Sequence, residues 1–125
     1  MSGDIALVAT NMHRVFLLKA SLNNMAANVD STIIDIKDMS ILFLQALWTG
    51  LAGGSGTLEV QVSAFDDAAT MSLYPGSLKT IPGAHGLSAE SWNISKAGFR
   101  YARIVYKKGT ITAGTLYIVG IGKKG

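Results

Sequence analysis

Residues 57–64 read Thr57-Leu58-Glu59-Val60-Gln61-Val62-Ser63-Ala64, an unbroken alternation of apolar and polar side chains. Successive side chains on a strand point to opposite faces, so Leu58, Val60, Val62 and Ala64 share one side. Glu59, Gln61 and Ser63 share the other. One apolar and one polar face describe a half-buried antiparallel strand.

The same reading extends in both directions. Just upstream, residues 50–56 (GLAGGSG) predict a flexible turn, and residues 41–49 put Leu42, Leu44, Ala46 and Trp48 on one face. Residues 31–36 (STIIDI) and 14–19 (RVFLLK) add two more strands. Between them, residues 20–30 stay open. Their alanines, Leu22 and Met25 permit a helical turn, whereas Asn23, Asn24 and Asn28 favour a loop.

Downstream, residues 66–86 are looser, with turn signals at Tyr74-Pro75-Gly76 and Pro82-Gly83 and a short strand near 78–81. Residues 87–94 form a strand carrying Trp92. Residues 99–106 follow, rich in aromatic and β-branched side chains, and Lys107-Lys108-Gly109 turns the chain. Residues 110–114 continue that connection to a last strand at 115–121. There Leu116 and Ile118 oppose Tyr117, Val119 and Ile121, so both faces are apolar. Such a strand is central, or a neighbouring subunit covers it.

Seven to nine short strands at this spacing predict an all-β fold, an antiparallel β-sandwich of jelly-roll type. Leu58, Val60, Val62, Ala102, Ile104, Tyr106, Leu116 and Ile118 are the expected inward residues. No internal repeat recurs at a fixed period. The 125 residues suit one domain over 12–125, with residues 1–11 as a flexible N-terminal arm.

Hydrophobic residues make up 49% of the chain and charged residues 15%, with a mean hydropathy of +0.33. A free monomer's surface usually carries about 25–35% charged residues, so self-association or a partner is expected. Cysteine is absent, which removes disulfides and thiolate metal sites. Met1-Ser2-Gly3-Asp4 lacks the basic start and apolar stretch of a signal peptide. The longest apolar run, residues 39–48, falls short of the roughly 20 residues that span a bilayer, so no membrane association is expected. The net charge of +3 rests partly on Lys107-Lys108 and Lys123-Lys124, with no basic stripe for specific nucleic-acid binding.

Chemistry-bearing residues do not assemble into a catalytic set. His13 and His85 lack nearby ligand partners for zinc. Asp66-Asp67 offers two oxygen ligands to calcium, which takes 6–8, and aspartates also start turns by bonding their own backbone. Gly53-Gly54-Ser55-Gly56 joins two strands, whereas phosphate loops lead into a helix. No G-x-S-x-G elbow occurs. The expectation is a non-enzyme with no catalytic, metal or cofactor residues. Trp48 reads as core, whereas Trp92, between Ser91 and Asn93, could serve a sugar-stacking platform. Arg100 and Arg103 are placed to stack on Tyr101 or Tyr106.

A succession of segments carries a family resemblance. Leu47-Trp48-Thr49-Gly50 ends one strand and Val60-Gln61-Val62-Ser63 lies in the next. Ser91-Trp92-Asn93-Ile94-Ser95 and Gly98-Phe99-Arg100-Tyr101-Ala102-Arg103-Ile104-Val105-Tyr106 follow, then Gly114-Thr115-Leu116 and Gly122-Lys123. Over residues 31–124 this rhythm resembles small tailed-bacteriophage virion proteins, which are β-sandwich or jelly-roll subunits. The resemblance implies a capsid decoration or cement protein that stabilises the shell, with a tail or baseplate component next. It also implies a homo-oligomer, a trimer before a dimer, with the major capsid protein or other virion proteins as partners. The location implied is the virion, assembled in the host cytoplasm. One departure is Asp66-Asp67-Ala68-Ala69-Thr70-Met71, where such proteins often carry an Asn-Trp or similar aromatic after an Asp-Gly turn. No functional residues transfer from the family. A carbohydrate-binding host-recognition module on the same sandwich is the alternative, because fold alone does not decide function.

Overall fold

A computed structural model describes residues 13–36, 41–81, 89–95 and 99–123. The strands are β1 (His13–Asn24), β2 (Val29–Asp30), β3 (Ile34–Asp35), β4 (Ile41–Gly53) and β5 (Gly56–Ser63). After a 3-10 turn at Ala68–Thr70 come β6 (Ser72–Leu73), β7 (Lys79–Ile81), β8 (Ala89–Ser95), β9 (Tyr101–Lys107) and β10 (Ile111–Lys123). The first sheet has the order β1-β10-β4-β8. The second is built on the β9-β5 pair, with β2 and β3 along β9 and with β6 and β7 along β5. All pairings are antiparallel. Treating β2 with β3 and β6 with β7 as interrupted strands leaves two four-stranded layers, the double Greek key of a jelly roll. The expected sandwich is the observed one.

Alternation explains the core. Leu42, Leu44, Ala46 and Trp48 of β4 meet Leu58 and Val60 of β5, Ala102, Ile104 and Tyr106 of β9, and Leu116 and Ile118 of β10. Val62 packs against them, partly buried. Ala64 departs from the pattern and is exposed, because β5 ends at Ser63, whose Oγ accepts the Phe65 N–H at 3.0 Å. Val60→Ala is expected to cost about 1–3 kcal/mol in urea unfolding, through lost burial and a small cavity.

The open segment at residues 20–30 becomes strand and then turn. β1 runs on to Asn24, and no helix forms there. Asn24 Oδ1 accepts the Ala26 N–H and Asn28 Oδ1 accepts the Lys108 N–H, both at 2.9 Å. The asparagines thus act as turn residues. Met25 is fully buried and fills one end of the core, with its N–H donating to the Gly114 carbonyl at 2.9 Å. The Tyr106 hydroxyl donates to the Met25 carbonyl at 2.7 Å.

Burial pushes the Tyr106 phenol above its usual range. The folded state therefore holds this proton more tightly than the unfolded chain does. The contribution is complete below about pH 10 and is lost as pH rises through the folded value. Unfolding midpoints should fall with alkaline pH more steeply in the wild type than in Tyr106→Phe. Equal slopes in the two proteins would count against this account.

The strand expected over residues 31–36 shrinks to the stub β3, with a second stub, β2, just before it, and Ser31 fills the break between them. Its N–H donates to the Ile104 carbonyl at 2.9 Å, while its Oγ accepts the Ile104 N–H at 2.8 Å. The side chain takes the place of a backbone carbonyl. Ser77 does the same between β6 and β7, where its Oγ bonds both the N–H and the carbonyl of Val60 at 3.1 Å. Ile104 and Val60 are register partners, so the two serines cap one row across the second sheet. Ser77→Ala would leave a buried Val60 N–H unpaired, and a loss of about 1–3 kcal/mol is expected by thermal or urea unfolding.

Two predicted connections are tighter than expected. β4 continues to Gly53 and β10 starts at Ile111, so short turns remain. The turns interlock. Gly54 N–H donates to the Thr110 carbonyl at 3.1 Å, Thr110 N–H to the Ser55 carbonyl at 2.9 Å, and Ser55 N–H to Thr110 Oγ1 at 2.9 Å. The Tyr74-Pro75-Gly76 turn forms as read, closed by Ser77 N–H on the Tyr74 carbonyl at 3.1 Å. The arm at 1–11, the Pro82-Gly83 turn and His85 lie outside the described residues.

Candidate interaction surface

The two tryptophans do not form a platform. Trp48 is buried in the β4 inner face as its alternation predicts. Trp92 is only 6% exposed, and its indole N–H donates to the Ser77 carbonyl at 2.7 Å. Its polar neighbours Ser91 and Asn93 sit on the opposite, exposed face of β8. The proposed sugar-stacking role of Trp92 is therefore corrected to a core role. A cleft of about 210 Å³ lies beside it, bordered by Tyr74, Lys79, Ser91 and Asn93. That is below the roughly 300–1,000 Å³ of a well-formed small-molecule pocket.

The remaining sequence candidates have structural duties. Asp67 Oδ1 accepts the Ala69 N–H at 3.0 Å and caps the 3-10 turn, and Asp66 is exposed beside it. Arg100 lies 5.2 Å from the Tyr101 ring centroid, as anticipated, and also pairs with Asp35 at 2.9 Å. Arg103 instead meets Gln61 Oε1 at 2.9 and 2.8 Å, because Tyr106 points into the core. Among the described residues no helix is long and apolar enough to cross a membrane.

The two outer faces differ sharply. On the second sheet, Arg103 bonds Gln61, Gln61 Nε2 donates to Glu59 Oε2 at 2.9 Å, and Lys107 approaches Glu59 at 3.9 Å. Asp30 lies 3.7 Å from Arg103. This face is a charged, hydrogen-bonded network over β5, β9 and the β2 edge.

The outer face of the first sheet carries a different chemistry. Ile41 is 45% exposed, Leu47 38% and Ile121 38%, with Phe43, Tyr117 and Val119 half-buried between them. Register makes them neighbours: Phe43 pairs with Ile121, Gln45 with Val119 and Leu47 with Tyr117. Val15 and Leu17 of β1 pair with Ile121 and Val119 in turn. Ser91, Asn93, Thr49 and Thr115 border the apolar centre. Sequence alternation singled out the last strand as apolar on both faces, and the structure places it second in the sheet, between β1 and β4. β4 has the same property through Ile41, Phe43 and Leu47, legible in the sequence once both of its faces are read.

No protein-family model matches the chain, and no curated protein matches it. Among solved structures, the SPBc2 prophage-derived protein YomS aligns with a TM-score of 0.55 at 10% identity, over 88% of this chain and 91% of that one. The two share a fold. The K1 cleaved adhesin domain of Lys-gingipain from Porphyromonas gingivalis W83 aligns at 0.47 and 12% identity, over 90% and 84%. PirA aligns at 0.37 and 11%, over 91% and 94%.

Proposed function

We propose that this chain is a non-enzymatic structural subunit of a bacteriophage particle that works by protein–protein contact. The observation that carries this reading is the apolar outer face of the first sheet, where Ile41, Phe43, Leu47, Tyr117, Val119 and Ile121 adjoin without a charged side chain between them. Such a face marks an interaction site, since lone domains seldom leave contiguous apolar area in water. The phage assignment draws on the virion-protein resemblance, and the fold shared with a prophage-derived protein agrees with it. Within the particle, the role put forward is capsid decoration, with a tail or baseplate position as the second choice.

Purified protein added to phage particles that lack it should bind and raise their resistance to heat. Leu47→Glu, which places a charge on the exposed face and leaves the core untouched, should weaken binding at least tenfold. Particles that gain neither bound protein nor heat resistance would overturn the reading.

A further inference from the structure

We propose that the apolar face of the first sheet is covered by the same face of a second copy, the two related by a two-fold axis passing beside Gln45. This rests on the reading of that face as a protein–protein site and names its occupant; particles are then bound by the pair, so that splitting the pair, as Leu47→Glu does, weakens particle binding as well.

Three observations point to self-pairing. The first is charge. The other large face of the molecule carries Asp30, Glu59, Arg103 and Lys107. Stacking it on the apolar face would strip water from those ions and offer them no new partners, which is costly. It would also be a head-to-tail contact, which need not close. Apolar face on apolar face avoids both penalties and is self-complementary.

The second observation is size. The four strands run side by side over the seven positions that β8 shares with β4, and with about 3.3 Å per residue and 4.8 Å between strands this face spans roughly 450 Å². Two such faces together bury about 900 Å², which suits a weak, concentration-dependent dimer below the range of about 1,200–2,000 Å² for tight complexes. The layout is also that of an interface, with an apolar centre and a polar border of Ser91, Asn93, Thr49 and Thr115. Sheets packed face to face keep their strands within about 30°, as the two layers of a sandwich do.

The third observation is Gln45. It lies among Phe43, Leu47 and Val119 with the exposed Ser91 of β8 on its remaining side, it is half-buried, and it has no hydrogen-bond partner among the described residues. A carboxamide both donates and accepts, so two of them across a two-fold axis satisfy each other. Position 45 therefore meets position 45 of the other copy.

Sedimentation or light scattering of the full chain at rising concentration should report a dimer. Gln45→Glu and Gln45→Lys should each give a monomer at neutral pH, from like charges on the axis. An equimolar mixture of the two variants should return to a dimer, which happens only if residue 45 faces its own copy. Circular dichroism should show both variants folded, and Leu47→Glu supplies a second monomeric variant should either fail to fold. A wild-type monomer or trimer, or a mixture that stays monomeric, overturns the pairing. A monomer that still binds particles, with binding lost in Leu47→Glu, removes the pairing and leaves the particle reading. A dimer that binds no particle does the reverse.

Discussion

Trp92→Ala is expected to lower stability by about 3–5 kcal/mol, the scale of deleting a large buried aromatic ring. The loss goes beyond volume. Trp92 sits on β8, at the edge of the first sheet, and its indole N–H reaches the Ser77 carbonyl in the segment between β6 and β7 of the second. One side chain therefore ties the layers together where they would otherwise part. Trp92→Phe should keep much of the packing but lose that hydrogen bond, at about 1–3 kcal/mol. Urea unfolding followed by circular dichroism separates the two variants. A stability change below about 1 kcal/mol for Trp92→Ala would return the residue to the surface, where a ligand-stacking role would be open again.

Gly109→Ala is expected to be nearly as damaging, on the order of 3 kcal/mol. Gly109 has φ +53°, which costs a residue with a side chain about 1–2 kcal/mol. A Cβ there would also run into the Ser55 carbonyl oxygen. That oxygen accepts from Thr110 in the interlocked turns, so the clash would open the hydrogen bonds joining the β4–β5 and β9–β10 connections. Gly50 supplies the control. Its φ is +66°, yet nothing lies within 4 Å of where a Cβ would go. Gly50→Ala should show the conformational strain alone, about 1–2 kcal/mol. Equal losses in the two variants would show that the turn interlock contributes nothing.

Period-two alternation is a local property, and what depends on it was legible. The inner faces of β4, β5, β9 and β10, and the burial of Trp48, follow from reading every second residue. The break between β2 and β3 was not legible, because Ser31 replaces a backbone carbonyl only for Ile104, far away in sequence. Residues 20–30 stayed open for a similar reason. The turn is fixed by Met25 seating at the core end, beside Gly114 and Tyr106, which local propensity does not register. Trp92 misled through its neighbours: Ser91 and Asn93 belong to the other face of the same strand. The interaction face was half visible, since Tyr117, Val119 and Ile121 stood out as apolar. Its other half on β4 lay in the second face of that strand, which went unread, and only the register that sets Phe43 beside Ile121 and Leu47 beside Tyr117 joins the two halves.

The serine-capped stubs bear on how crowded copies of this subunit behave. A long flat strand edge is a template on which further chains can add, and repeated addition ends in fibres. Here β2, β3 and β6 are two residues long and β7 three, and Ser31 and Ser77 occupy the backbone groups between them. Along the first sheet, β1 shifts register between Leu17 and Lys19 and again between Lys19 and Asn23, which breaks its outer rim into short pieces. Sideways growth is thus blocked at three of the four rims. Copies held at high local concentration can meet through their broad faces, where contact saturates after one partner, and strand-by-strand addition is left only the seven-residue rim of β8.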